Sequence, residues 1–97
     1  MRAKELLKGF LRHENDAVRL KAIEALGRIG GEDVIQIIHP MLASSVFEEK
    51  LVAARALAAI GVDGIAALRI SEPNSDEVTK AIAWQVLEEC GAMKEGL

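Results

Sequence analysis

The groups in this 97-residue chain best suited to metal binding or nucleophilic chemistry are few: two histidines, one cysteine and scattered carboxylates. A metal centre needs three or four such donors converging from repeated or complementary positions. His13 and Glu14 are adjacent but have no second copy, and the pair lies before a helix, in a turn. His39 stands alone beside Pro40. Cys90 cannot form an intramolecular disulfide, and it occupies a slot held elsewhere by Ile29 and Ile60, so a buried small apolar role is expected for it. There is no Ser/His/Asp constellation, no glycine-rich phosphate loop and no CxxC. These residues imply no catalytic, metal or cofactor site, and the chain is not expected to be an enzyme.

The remaining chemistry is electrostatic. Lys4, Lys8 and Arg12 follow one another at i, i+4, i+8 and form a basic ridge on the first helix, with Arg2 nearby. Such a ridge could contact phosphates, which makes a nucleic-acid-associated accessory protein the alternative reading. The net charge of −3 weighs against it, because nucleic-acid binders gather a clear basic excess. Charge is also graded along the chain. Residues 1–30 sum to +3, residues 31–61 to −2 and residues 62–97 to −4. A gradient of this kind suits head-to-tail contacts or an acidic partner at the first segment.

The elements that must position these groups come from an internal repeat. Ala22-Ile23-Glu24-Ala25-Leu26-Gly27-Arg28-Ile29-Gly30 recurs as Ala53-Ala54-Arg55-Ala56-Leu57-Ala58-Ala59-Ile60-Gly61, and more loosely as Ala83-Trp84-Gln85-Val86-Leu87-Glu88-Glu89-Cys90-Gly91. Upstream, Leu6-Leu7-x-x-Phe10-Leu11 aligns with Ile37-Ile38-x-x-Met41-Leu42, which places Phe10 in the core. The third copy keeps Ile65 and Leu68 but has Ser71 and Glu72 where the apolar pair belongs, so a short helix is expected there. A period near thirty residues signals a stack in which each unit buries its apolar face against its neighbours. The reading is all-α: one domain over residues 1–97, a right-handed α-solenoid of three two-helix units at 1–30, 31–61 and 62–91, with a tail at 92–97.

Punctuation agrees. Asn15 or Asp16 caps the second helix of unit one, Ser45-Val46-Phe47-Glu48 has capping-box spacing in unit two, and Asn74, Ser75 and Asp76 serve unit three. Glycines 30, 61 and 91 fit C-terminal caps. Pro40 falls inside a helix and should kink it. No run reaches the length of a membrane span and no signal-peptide core leads the chain, so with its single cysteine the protein reads as cytoplasmic.

The pattern Asp16-x-Val18-Arg19-x-x-Ala22-x-x-Ala25-Leu26-Gly27-x-Ile29-Gly30 resembles the HEAT-like repeats typified by phycobilisome lyase subunits. The resemblance covers nearly the whole chain, with unit one the strongest match and unit three degenerate. It implies a protein-binding scaffold. It also implies a base early in each second helix, here Arg19, Lys50 and Lys80, commonly faced by an acid near the helix start. Asp16 fits that role and Phe47 departs from it. The lyases use larger arrays than three units. Deoxyhypusine hydroxylase resembles the same repeat but carries His-Glu pairs where this chain has Leu20-Lys21, Leu51-Val52 and Ala81-Ile82, so its iron ligands are missing.

At about 100° per residue, placing Ala22 at the core centre turns Leu26 and Ile29 towards it and Leu20, Glu24 and Arg28 away. In HEAT-like solenoids the second helices line the concave face. The implied partner surface is then Leu20, Glu24 and Arg28, continued by Leu51, Arg55 and Ala59 and by Ala81, Gln85 and Glu89. One flank carries Lys21, Val52 and Ile82 and should face the preceding unit. The other carries Ile23, Ala54 and Trp84 and should face the following one. Trp84 has no following unit in the repeat and needs a cover. The tail residues Ala92, Met93 and Leu97, a second copy joined as a homodimer through this end, or a different protein would each serve.

Overall fold

The computed structural model describes residues 2–71 and 76–91. Among them are six α-helices and no strand: α1 (Arg2–Phe10), α2 (Asp16–Ile29), α3 (Glu32–Ile38), α4 (Phe47–Ile60), α5 (Val62–Ser71) and α6 (Glu77–Glu89), with a 3-10 segment at His39–Ala43 after α3. Asn74, Ser75 and the tail at 92–97 lie outside the described residues.

Local chemistry sets the boundaries. Asn15 caps α2, its side chain accepting from the Ala17 amide at 2.8 Å. Asp76 caps α6, accepting from the Thr79 amide at 2.7 Å. The glycines that close α2 and α4 take φ 74° at Gly30 and φ 110° at Gly61, a region costly for any side chain. Their ψ values of −170° and −150° differ from those of a left-handed helical cap, so the chain turns sharply into the next helix.

Three local expectations need correction. Pro40 does not kink a continuous helix: lacking an N–H and crowding the preceding turn, it ends α3 at Ile38 and the chain tightens into the 3-10 segment. The box built on Ser45 does not form. Val46 is the N-cap residue of α4 without a side-chain bond, and Ser44 acts instead, its Oγ accepting from the Val46 amide at 3.1 Å and donating to Glu49 at 3.1 Å. Helix α5 is not short, since its ten residues exceed the seven of α3.

Helices α2, α4 and α6 pack in sequence as one row, with α1, α3 and α5 on its other side, giving a body 40 × 27 × 19 Å. The core runs along the join and includes Ile23, Leu26, Val34, Ile38, Leu57, Leu68, Val86 and Leu87. Alanine lets the row close tightly. A Cβ on Gly27 would stand 2.8 Å from that of Ala56, and one on Gly64 would stand 1.8 Å from the Leu57 carbonyl oxygen. The periphery is looser than the repeat implied. Phe10, Ile29 and Cys90 are exposed rather than buried.

Candidate interaction surfaces

Polar side chains connect successive units. Arg19 on α2 bonds its own-helix Asp16 and the His13 carbonyl, and its Nε donates to Glu49 of α4 at 3.0 Å. Glu49 is 8% exposed. Burial alone would lower the pKa of Arg19, but hydrogen bonding to Glu49 and the charges of Glu49 and Asp16 outweigh it and hold the pKa above its ordinary value. One unit on, the buried Lys50 ammonium donates to the Leu42 carbonyl at 3.1 Å, to Thr79 Oγ1 at 2.5 Å and to Asp76 at 3.3 Å. Thr79 Oγ1 donates in turn to the same carbonyl at 3.2 Å. The amide of Thr79, with help from Lys50, draws the Asp76 carboxyl down to about 2.

The base in each of the first two units therefore bonds an acid or hydroxyl of the next one, beyond any acid on its own helix. This cross-unit pairing was missed from the sequence. Its signal was present: Glu49 and Thr79 share the slot of Val18, one residue before each base. Lys80, the third base, pairs among the described residues with Glu77 of its own helix at 3.9 Å.

The outward strip is continuous. Glu24, Arg28, Val52, Arg55 and Ala59 line one shallow depression of about 240 Å³ between α2 and α4. Arg55 then reaches Glu89 of α6 at 3.6 Å, and Gln85 donates to the same carboxylate at 3.4 Å. Leu20 and Leu51 are half-buried, while Arg28, Arg55, Ala59, Ala81, Gln85 and Glu89 are exposed. Lys21 bridges Glu24 at 3.9 Å.

The basic ridge is partly paired within the chain. Lys4 contacts both carboxylate oxygens of Asp33, at 3.0 and 3.1 Å, and this holds the Asp33 carboxyl below its usual value. Lys8 lies 3.6 Å from Glu5, and Arg12 is exposed. His13 lies in the turn before α2, where Nδ1 accepts from the Asn15 amide at 3.0 Å. Among the described residues no three His, Cys, Asp or Glu side chains converge as a metal site, and no helix is long and apolar enough to cross a membrane.

The flanks follow the order expected of a stack. Lys21 is exposed, Val52 half-buried and Ile82 buried on one side. Ile23 and Ala54 are fully buried on the other, whereas Trp84 is 50% exposed.

Helical pairs related by a thirty-residue period, stacked through one row of helices, define a helical repeat protein. The family model for HEAT repeats matches residues 3–88, so the chain belongs to the HEAT repeat family. No curated protein and no solved structure gives a match.

Proposed function

We propose that the chain is a right-handed stack of three HEAT-like units, of the type typified by phycobilisome lyase subunits, that works as a non-enzymatic protein-interaction module. HEAT repeats are commonly interaction scaffolds, and family membership supports that class. The observation that carries the reading is the continuity of the strip. Side chains from α2, α4 and α6 form one surface in which Arg28 and Arg55 flank a depression, and arginines are favoured anchors at interfaces. The mixed charge and shallow shape suit a polypeptide better than a small molecule, which needs a deeper and more enclosed site.

A photo-crosslinking side chain placed at Ala59, inside the depression, tests this in cells of the source organism. A protein captured from Ala59 and lost on Arg28→Glu with Arg55→Glu is the expected result. Capture of nucleic acid, or capture indifferent to both arginines, would overturn it. The nucleic-acid alternative through Lys4, Lys8 and Arg12 is weakened by the Lys4–Asp33 and Lys8–Glu5 pairs, which neutralise two of the three charges locally. Salt-dependent binding to random duplex would restore it.

A further inference from the structure

The two ends of the stack carry surfaces that match the joints inside it. Joining α2 to α4, Ile23 and Leu26 are buried, and Gly27 lies close against Ala56. In α6 the slots of Ile23 and Leu26 hold Trp84, which is half exposed, and Leu87, which is already buried in the core. In the second unit the facing slots include Glu49, bonded by Arg19, and Ala56, close to Gly27, with Ile38, Met41 and Val52 beside them in or against the core. The same slots in the first unit are Leu7, Phe10, Val18, Lys21 and Ala25. With Ala17 and Ala22 these line an apolar groove of about 470 Å³ between α1 and α2. An unfilled receiving groove and a half-exposed inserting tryptophan thus stand at opposite ends of one chain.

Charge supports the same occupant. Residues 1–30 sum to +3 and residues 62–97 to −4. At the point of close approach, Gly27 and Ala58 are replaced in the third unit by the exposed Glu88, and one turn before Ala25 on the receiving helix stands the exposed Lys21. Lys80 matches the internal joints only in part. Arg19 and Lys50 both reach forward to the next unit, and Lys80 occupies their slot. On a following copy the slot of Glu49 and Thr79 holds Val18, which has no side-chain acceptor, and only the slot of Asp76, held by Asn15, can receive Lys80.

We infer that the chain associates head to tail with itself, the α6 face bearing Trp84 of one copy seating in the α1–α2 groove of the next. The inference rests on the reading as an interaction module, but uses the ends of the stack and leaves the arginine strip open. The bulk of Glu88, where internal joints have glycine or alanine, makes this joint wider than those within the chain. It should therefore dissociate on dilution. Unlike surfaces meet, so the assembly grows past a pair, into a ring where the rotation closes or a filament where it does not.

Sedimentation of the full chain over about a hundredfold concentration range, with two variants, tests this. Trp84→Glu removes the inserting face. Ala17→Glu with Lys21→Glu spoils the groove at two exposed positions, the first being the opening turn of α2, where an acid is favourable. The expected result is a wild-type mass that climbs past two chains, and association weakened more than tenfold in each variant, with helicity retained by circular dichroism. Mixed together, the variants should form a 1:1 complex of twice the 10.5 kDa chain mass and grow no further, since one good face of each kind remains. A wild type monomeric throughout would overturn the inference and assign Trp84's cover to the tail or another protein. A groove variant that still dimerises would overturn it in favour of a symmetric contact through α6. A mixture that fails to pair would also overturn it. None of these failures touches the crosslinking result at Ala59, which reports on the strip alone.

Discussion

Gly64→Ala should destabilise the fold even though alanine is the better helix former. The new Cβ would stand 1.8 Å from the Leu57 carbonyl oxygen and 2.8 Å from its carbon, whereas ordinary contact begins near 3.4 Å. Those atoms belong to the α4 backbone and cannot rotate away, so α5 must retreat by about 1.6 Å, the gap between 1.8 and 3.4 Å. Overpacking of this kind costs about 1–3 kcal/mol, and a rigid obstacle places it at the upper end. Better helix propensity returns up to about 1 kcal/mol, leaving a net loss of about 2 kcal/mol. Gly9→Ala is the matched control, since nothing lies within 4 Å of its Cβ position and α1 should gain up to about 1 kcal/mol. Urea unfolding followed by helical circular dichroism reads both. With a slope of about 1–2 kcal/mol per molar, the Gly64 variant should lose about 1–2 M in midpoint and the Gly9 variant should gain. A Gly64 variant as stable as the wild type would refute the close crossing of α4 and α5.

Two further perturbations address the polar joints. Lys50→Met should cost about 1–3 kcal/mol, because the buried ammonium links Leu42, Thr79 and Asp76, while Lys80→Met should stay within about 0.5 kcal/mol; equal losses in thermal unfolding would show that Lys50 does not join units. Because the Asp76 carboxyl is held at about 2 in the fold and returns to near 4 when unfolded, its ionised form stabilises the protein above pH 4, and that contribution disappears as pH falls towards 2. Asp76→Asn should lower stability at neutral pH and flatten the acid limb between pH 4 and 2, and parallel limbs in wild type and variant would contradict the cap.

Much of the architecture was legible because a period ties equivalent slots together. Ile23, Ala54 and Trp84 differ in chemistry, yet their shared slot fixed which would be buried between units and which would be left at an end. The same logic misplaced Phe10 and Cys90. A slot inherits burial only where a neighbour covers it, and these two are exposed among the described residues. Gly64 carried no readable signal, since a lone glycine in a helix resembles a weak position until its distance to another backbone is known. Ser44 and Ser45 are adjacent and chemically equal, and only the turn geometry selects Ser44. Helical angles were enough to turn Arg28, Arg55, Gln85 and Glu89 outward, but the reach of Arg19 and Lys50 into the next unit required the offset between helices.

Trp84 is half exposed, and by the proposal above a second copy covers its face. Trp84 is the sole tryptophan, so acrylamide quenching of its fluorescence reads that face directly. Quenching should be efficient in dilute solution and give way to progressive protection as concentration rises. Quenching independent of concentration would contradict the proposal, either low throughout because the face is covered within the chain, or high throughout because no copy seats upon it.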